Sequence, residues 1–210
     1  MRLIDPLPAD RRAARLALLL PGLAVYGASV GMMLRADLGQ MPWGVLDQGL
    51  AGVLGIEVGT SSILVGALVL LLWVPLRRRP GLGTLCNVVL VGLSINATLA
   101  LLPAPSSLGA RIPLLVAGVL LNAVATGAYI GAGMGAGPRD GLTTGIAARG
   151  HSVRVVRTTI ELVVLGAGWL LGGTVGVGTL LYAVAIGPLV HRTLPAFELR
   201  SRPVEPVPTA

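Results

Sequence analysis

Charged positions interrupt an otherwise apolar chain at intervals close to the thickness of a bilayer. Leu16 to Leu34 is uncharged between Arg15 and Arg35, and Val58 to Leu76 is uncharged between Glu57 and Arg77. A hydrocarbon core of about 30 Å takes about 20 helical residues, so each run predicts one crossing. A third helix is expected over about 83–102, closed by the turn-forming Pro103-Ala-Pro105-Ser-Ser, and Ile112 to Gly135 supplies a fourth. Leu162 to Val190 carries no charge but is split by Gly172-Gly-Thr-Val-Gly176, which reads as a tight turn between two more helices. The pattern predicts six spans in an all-α membrane protein.

Composition supports lipid as the solvent. Only 12% of residues are charged, about half the share of a soluble domain. All sixteen basic residues are arginine, and with a cytoplasmic N-terminus fourteen fall on the inner side, leaving Arg35 and Arg111 outside. That is a strong positive-inside bias, and it accounts for the net charge of +7 without nucleic acid. Both termini are then cytoplasmic. Arg11, Arg12 and Arg15 ahead of Leu16–Leu20 mimic a signal peptide, but the apolar run is long enough to span and is expected to stay. A single cysteine, Cys86, permits neither an intramolecular disulfide nor a thiolate metal site.

An internal repeat organises the chain. Gly81-Leu-Gly83-Thr84 through Gly92 lies over Gly176-Val-Gly178-Thr179 through Gly187. Upstream, Leu38-Gly39-Gln-Met-Pro42 through Ala51 lies over Met134-Gly135-Ala-Gly-Pro138 through Ala147. The expected organisation is a cytoplasmic segment 1–15, repeat one at 16–103, repeat two at 110–195 and a disordered, proline-rich cytoplasmic tail 196–210. Each repeat holds three spans and a short helix begun by proline, about 42–54 and about 138–150. An odd number of spans inverts the second copy, a plan recurrent in secondary transporters with a site between the repeats. The short helices are either re-entrant, with N-termini aimed at a bound anion, or interfacial and flat on the surface.

Polar residues near the membrane are the candidate chemistry. Asp37, Trp43, Asp47 and Gln48, with Arg35, form an outer group, and Arg139, Asp140, Thr143 and Thr144 form an inner one. For Trp43, contact with the lipid headgroups is the competing reading. Arg157 and Glu161 lie four residues apart on one helical face, as a coupling or substrate carboxylate with its counter-ion or as a structural ion pair. Repeat one has only Ser61 and Val65 at the corresponding places. Asn87, Asn96 and Asn122 fall within spans, where interhelical hydrogen bonding is the usual role. His151 and His191 form no metal or nucleophile pattern, so no catalytic residue, metal or cofactor is expected, and the chain does not read as an enzyme.

Ala36-Asp-Leu-Gly-Gln-Met-Pro-Trp43, Gly81-Leu-Gly-Thr84, Gly135-Ala-Gly-Pro-Arg-Asp-Gly-Leu142 and Gly168-Trp-Leu-Leu-Gly-Gly-Thr-Val-Gly-Val-Gly-Thr179 resemble the motifs of the bacterial YczE/YyaS/YitT-type membrane proteins, and most nearly those of the YczE branch. The resemblance implies a bacterial cytoplasmic (inner) membrane location and carries no mechanism with it. Two functions remain open. One is a small secondary transporter or exporter of an unidentified small molecule. The other is a non-transporting component that binds or regulates a partner, including the substrate-binding subunit of a larger importer. Expected partners are the lipid bilayer, a small-molecule substrate, and either a second copy or another membrane protein.

Overall fold

The computed structural model describes residues 10–199, which form eight helices: α1 Arg12–Ala36, α2 Pro42–Leu54, α3 Val58–Trp73, α4 Leu82–Leu101, α5 Leu108–Gly131, α6 Pro138–Ala147, α7 Val153–Leu170 and α8 Val177–Phe197. Four of them, α1, α4, α5 and α8, are long and apolar enough to cross a membrane. A fifth crossing arises if α2 and α3, which meet at 111°, are counted as one broken span. Six were expected. The shortfall has two causes: α3 has only 16 residues, about 24 Å of helix, and α7 carries Arg154, Arg157 and Glu161 in its first half.

Local sequence explains the short helices. Pro42 and Pro138 occupy the first turn, and the residues before them, Met41 and Gly137, are extended at ψ 150° and 153° as a following proline requires. The turn expected after α7 is present, with Gly172 at φ +94°. The helices after the two Gly-x-Gly-Thr strings start alike: Thr84 accepts the N–H of Gly81, and Thr179 that of Gly176, each at 3.2 Å.

The centre is an antiparallel pair, α1 on α5, with Gly22 against Tyr129 and Gly118 against Ser29 and Met33. Alongside it, α4 runs parallel to α1, with Gly27 under the Val91 carbonyl, and α8 runs parallel to α5, with Gly127 against Thr193 and Leu194. Around Leu19, Leu23, Met33, Ile95 and Val119 this makes the main core. α3 returns antiparallel on α4, where Gly59 and Gly92 bring the two backbones together. α2 lies across the end of α7 at Gly49 and Gly168, and α6 across the end of α3 at Gly141 and Trp73.

Two further docks join residues far apart in sequence. Gly178 N–H donates to the Leu38 carbonyl at 2.7 Å, and Gly83 N–H to the Met134 carbonyl at 2.8 Å. They sit at opposite ends of the bundle, because α1 and α5 run in opposite directions. Arg11, Arg12, Arg15, Arg77–Arg79, Arg149, Arg154 and Arg192 gather at the end holding the N-terminus of α1, and Arg35 and Arg111 at the other.

Arg15 differs from its neighbours. It is 2% exposed and donates to the Ala132 carbonyl at 2.8 Å and the Leu199 carbonyl at 3.3 Å while pairing with Asp10 at 3.0 Å. It ties the start of α1 to the ends of α5 and α8. Leu199 N–H also donates to the Gly131 carbonyl, so ordered chain continues past the expected boundary at 196. The remainder of the expected tail, from 200, and residues 1–9 of the N-terminal segment lie outside the described residues. Asn96 and Asn122 do bond between helices: Asn96 accepts from Gly59 N–H and donates to Glu57, while Asn122 donates to Ser29 and accepts from Tyr182.

Candidate functional site

The first turns of α2 and α6 face one cavity of about 400 Å³, which Pro42, Trp43, Pro138, Arg139 and Asp140 all line. Arg139 reaches from α6 to α2: its Nη2 lies 2.9 Å from Asp47 Oδ2, and its guanidinium covers the Trp43 ring at 4.8 Å. Asp47 is nearly sealed, its side chain 3% exposed against 25% for Arg139. A carboxylate so placed is tolerable only when paired; Arg139 meets its Oδ2, while its Oδ1 is buried without a hydrogen-bond partner. Trp73 fixes the start of α6 by donating its indole N–H to the Pro138 carbonyl at 3.0 Å.

The central helices supply an aromatic wall. Tyr26 and Tyr129 meet edge to face with centroids 5.9 Å apart, Tyr129 donates to Asp140 Oδ2 at 3.2 Å, and Tyr182 donates to Asn122 at 3.0 Å. All three tyrosines line the cavity, as does Asn87. The remaining side is formed by α7 and α8, which do not pack along their length; Gly166 has nothing within contact of a Cβ, and neither has Gly187, which lines the cavity. In this gap Arg157 and Glu161 form the expected pair at 2.9 Å, with side chains 59% and 39% exposed, and His191 stands on the α8 side.

Apart from Arg35, which donates to the Leu99 carbonyl of α4, seven of the ten residues of the outer group, the inner group and the helical pair gather in or against one cavity: Trp43, Asp47, Arg139, Asp140, Thr143, Arg157 and Glu161. The division into an outer and an inner group does not hold for them, because the two short helices bring their starts together. Trp43, 9% exposed, is the floor under Arg139 and no headgroup anchor. Three residues lie elsewhere. Asp37 caps α1 on the surface, 3.6 Å from Arg111. Gln48 braces the turn after α7, exchanging two hydrogen bonds with Thr174. Thr144 bonds back to Gly141 within its own helix. The sequence reading overlooked Tyr26, Tyr129, Tyr182 and Ser62, although three tyrosines inside spans of a chain with seven aromatic residues were a usable signal.

Comparison with known proteins gives a consistent assignment. A family model described as a family of unknown function (DUF6198) matches residues 13–194. An uncharacterised protein of Haemophilus influenzae is 42% identical over 84% of this chain and 81% of its own. The Bacillus subtilis uncharacterised membrane protein YczE is 36% identical over 83% of this chain and 82% of its own. YyaS of the same organism is 26% identical over 84% and 90%. No solved structure matches.

Proposed function

The chain belongs to the DUF6198 family, and from that premise we propose that this multi-pass membrane protein is a small secondary transporter or exporter without a catalytic step of its own. Its substrate site is the cavity between its two halves. One observation carries the reading: two prolyl-started helices, one from each half, open onto a shared hollow and are latched there by Arg139 and Asp47. Helix starts aimed at a membrane-buried cavity are the usual ligand-holding device of inverted-repeat transporters.

The reciprocity of the contacts favours the inverted plan. Gly178 on Leu38 matches Gly83 on Met134, α2 across α7 matches α6 across α3, and Gly22 on Tyr129 matches Gly118 on Met33. In this reading α3 and α7 complete six crossings, the short helices are re-entrant, and the arginine-rich end faces the cytoplasm of the inner membrane. The cavity lining extends along α8 to His191 and Leu194, and in this reading access is from that end.

Reconstitution into proteoliposomes tests it. Wild type is expected to exchange at least one member of a metabolite panel, and Arg139→Gln and Glu161→Gln to reduce the rate; no flux from any wild-type preparation rejects transport. The alternative, a component that docks a membrane partner, draws on the unfilled gap between α7 and α8. It predicts a stoichiometric co-purifying partner and no flux.

A further inference from the structure

Among the Asp, Glu and Arg side chains around the cavity, one carboxylate is left over when the ion pairs are drawn. Arg139 is committed to Asp47 at 2.9 Å, and Arg157 to Glu161 at the same distance. Asp140, the remaining acid on the wall, accepts a hydrogen bond from Tyr129 but has no ion-pair partner among the described residues. The start of α6 lends it about half a positive charge, which stabilises the carboxylate without neutralising it. An anionic ligand would find both arginines occupied and lie against Asp140.

Aromatic placement points the same way. Four of the seven aromatic side chains line this one cavity. Arg139 already covers Trp43, itself a cation held over a ring face. Tyr26, Tyr129 and Tyr182 are left to the ligand, beside Asp140. The remaining wall mixes apolar side chains, Val88, Ile160, Ile186 and Val190, with Asn87, Thr126 and His191, and it leads to the gap between α7 and α8. Repeat one closes the equivalent gap because Gly59 and Gly66 let α3 sit on α4. Under the repeat alignment α7 has Val155 and Leu162 there instead.

Building on the reading of this cavity as a substrate site, we infer that it holds an organic monocation, an ammonium or phosphonium centre on an apolar body. Its charge rests at Asp140 among Tyr26, Tyr129 and Tyr182. The body faces the α7–α8 gap, which admits molecules that partition into the bilayer.

Two probes of one shape and opposite charge test this. Tetraphenylphosphonium and tetraphenylborate are each titrated into the purified full-length chain in detergent by equilibrium dialysis. The phosphonium is expected to bind and the borate not to. Asp140→Asn should raise the phosphonium Kd by about tenfold or more, a loss of about 1.4 kcal/mol, while Asp140→Glu restores binding. The wild-type comparison of the two ions stands even where the asparagine variant does not fold. Equal or tighter borate binding, absent phosphonium binding, or an unchanged Kd in a folded Asp140→Asn variant overturns the inference. A protein that exchanges other solutes yet ignores phosphonium remains a transporter with a different substrate. One that binds phosphonium at Asp140 and moves nothing rejects transport and keeps the site.

Discussion

Arg139 joins α6 to α2 through charge, and its substitution separates two energetic roles. Removing one member of a sealed pair strands the other, which costs about 3–5 kcal/mol, whereas removing both is often close to neutral. Arg139→Gln should therefore lower the thermal midpoint in detergent markedly, and Arg139→Gln with Asp47→Asn should recover much of the loss. If the double variant is no better than the single one, the pair is not what confines Asp47. Packing is probed by two glycines. A Cβ at Gly141 collides with the Trp73 ring, so Gly141→Ala should cost about 2 kcal/mol, as overpacking does. Gly166, with open space around it, should gain up to about 1 kcal/mol on change to Ala from helix propensity alone. Charge at the rim is weaker. Asp10 accepts a hydrogen bond from Arg15 that holds its carboxyl below the ordinary range, against the opposing effect of burial. Its contribution is present above about pH 4 and is lost as pH falls through the lowered value; Asp10→Asn should remove that acid-side step from the melting profile.

Among the elements, much was legible in the sequence because prolines and glycines punctuate it. Pro42 set the start of α2, Pro138 that of α6, and Gly172 the end of α7. What composition could not convey was depth. Trp43 and Asp47 read as outer residues and Arg139 as inner, since sequence order says which loop a residue occupies but not that the loops fold back toward one another. The same ignorance of partners hid Gln48, whose amide braces Thr174, and Arg15, whose charge is buried. The two Gly-x-Gly-Thr strings, by contrast, have a physical meaning that their likeness alone did not supply: each docks on the segment ahead of one of the two helix-starting prolines, Gly178 on Leu38 and Gly83 on Met134. Gly39 and Gly135 hold left-side backbone angles, φ +110° and +126°, against Gly176 and Gly81 respectively. An L side chain is strained at either position and also meets a neighbouring backbone. Gly39→Ala and Gly135→Ala should thus destabilise by similar amounts, measured as thermal midpoints in one detergent. A large loss at one and none at the other would mean the two docks are not equivalents.

For the whole molecule, a bundle that spans the membrane has its two ends in different compartments, and the proposed orientation puts the arginine-rich end in the cytoplasm. Trp43 and Thr143 are too buried to report sidedness. Ser106, between α4 and α5, and His151, between α6 and α7, are exposed and lie at opposite ends of α1 and α5. In a Cys86→Ser background, Ser106→Cys should react with a membrane-impermeant maleimide in intact cells, and His151→Cys only after the membrane is opened. The pair is informative in every pattern. Reversed labelling would keep the inversion but place the cavity mouth on the outer face, turning the proposed direction of access around. Labelling of both from one side would require an even number of crossings between residues 106 and 151, where the described chain has α5 and the short α6. α6 would then have to traverse the bilayer with 10 residues, about half the length a helix needs.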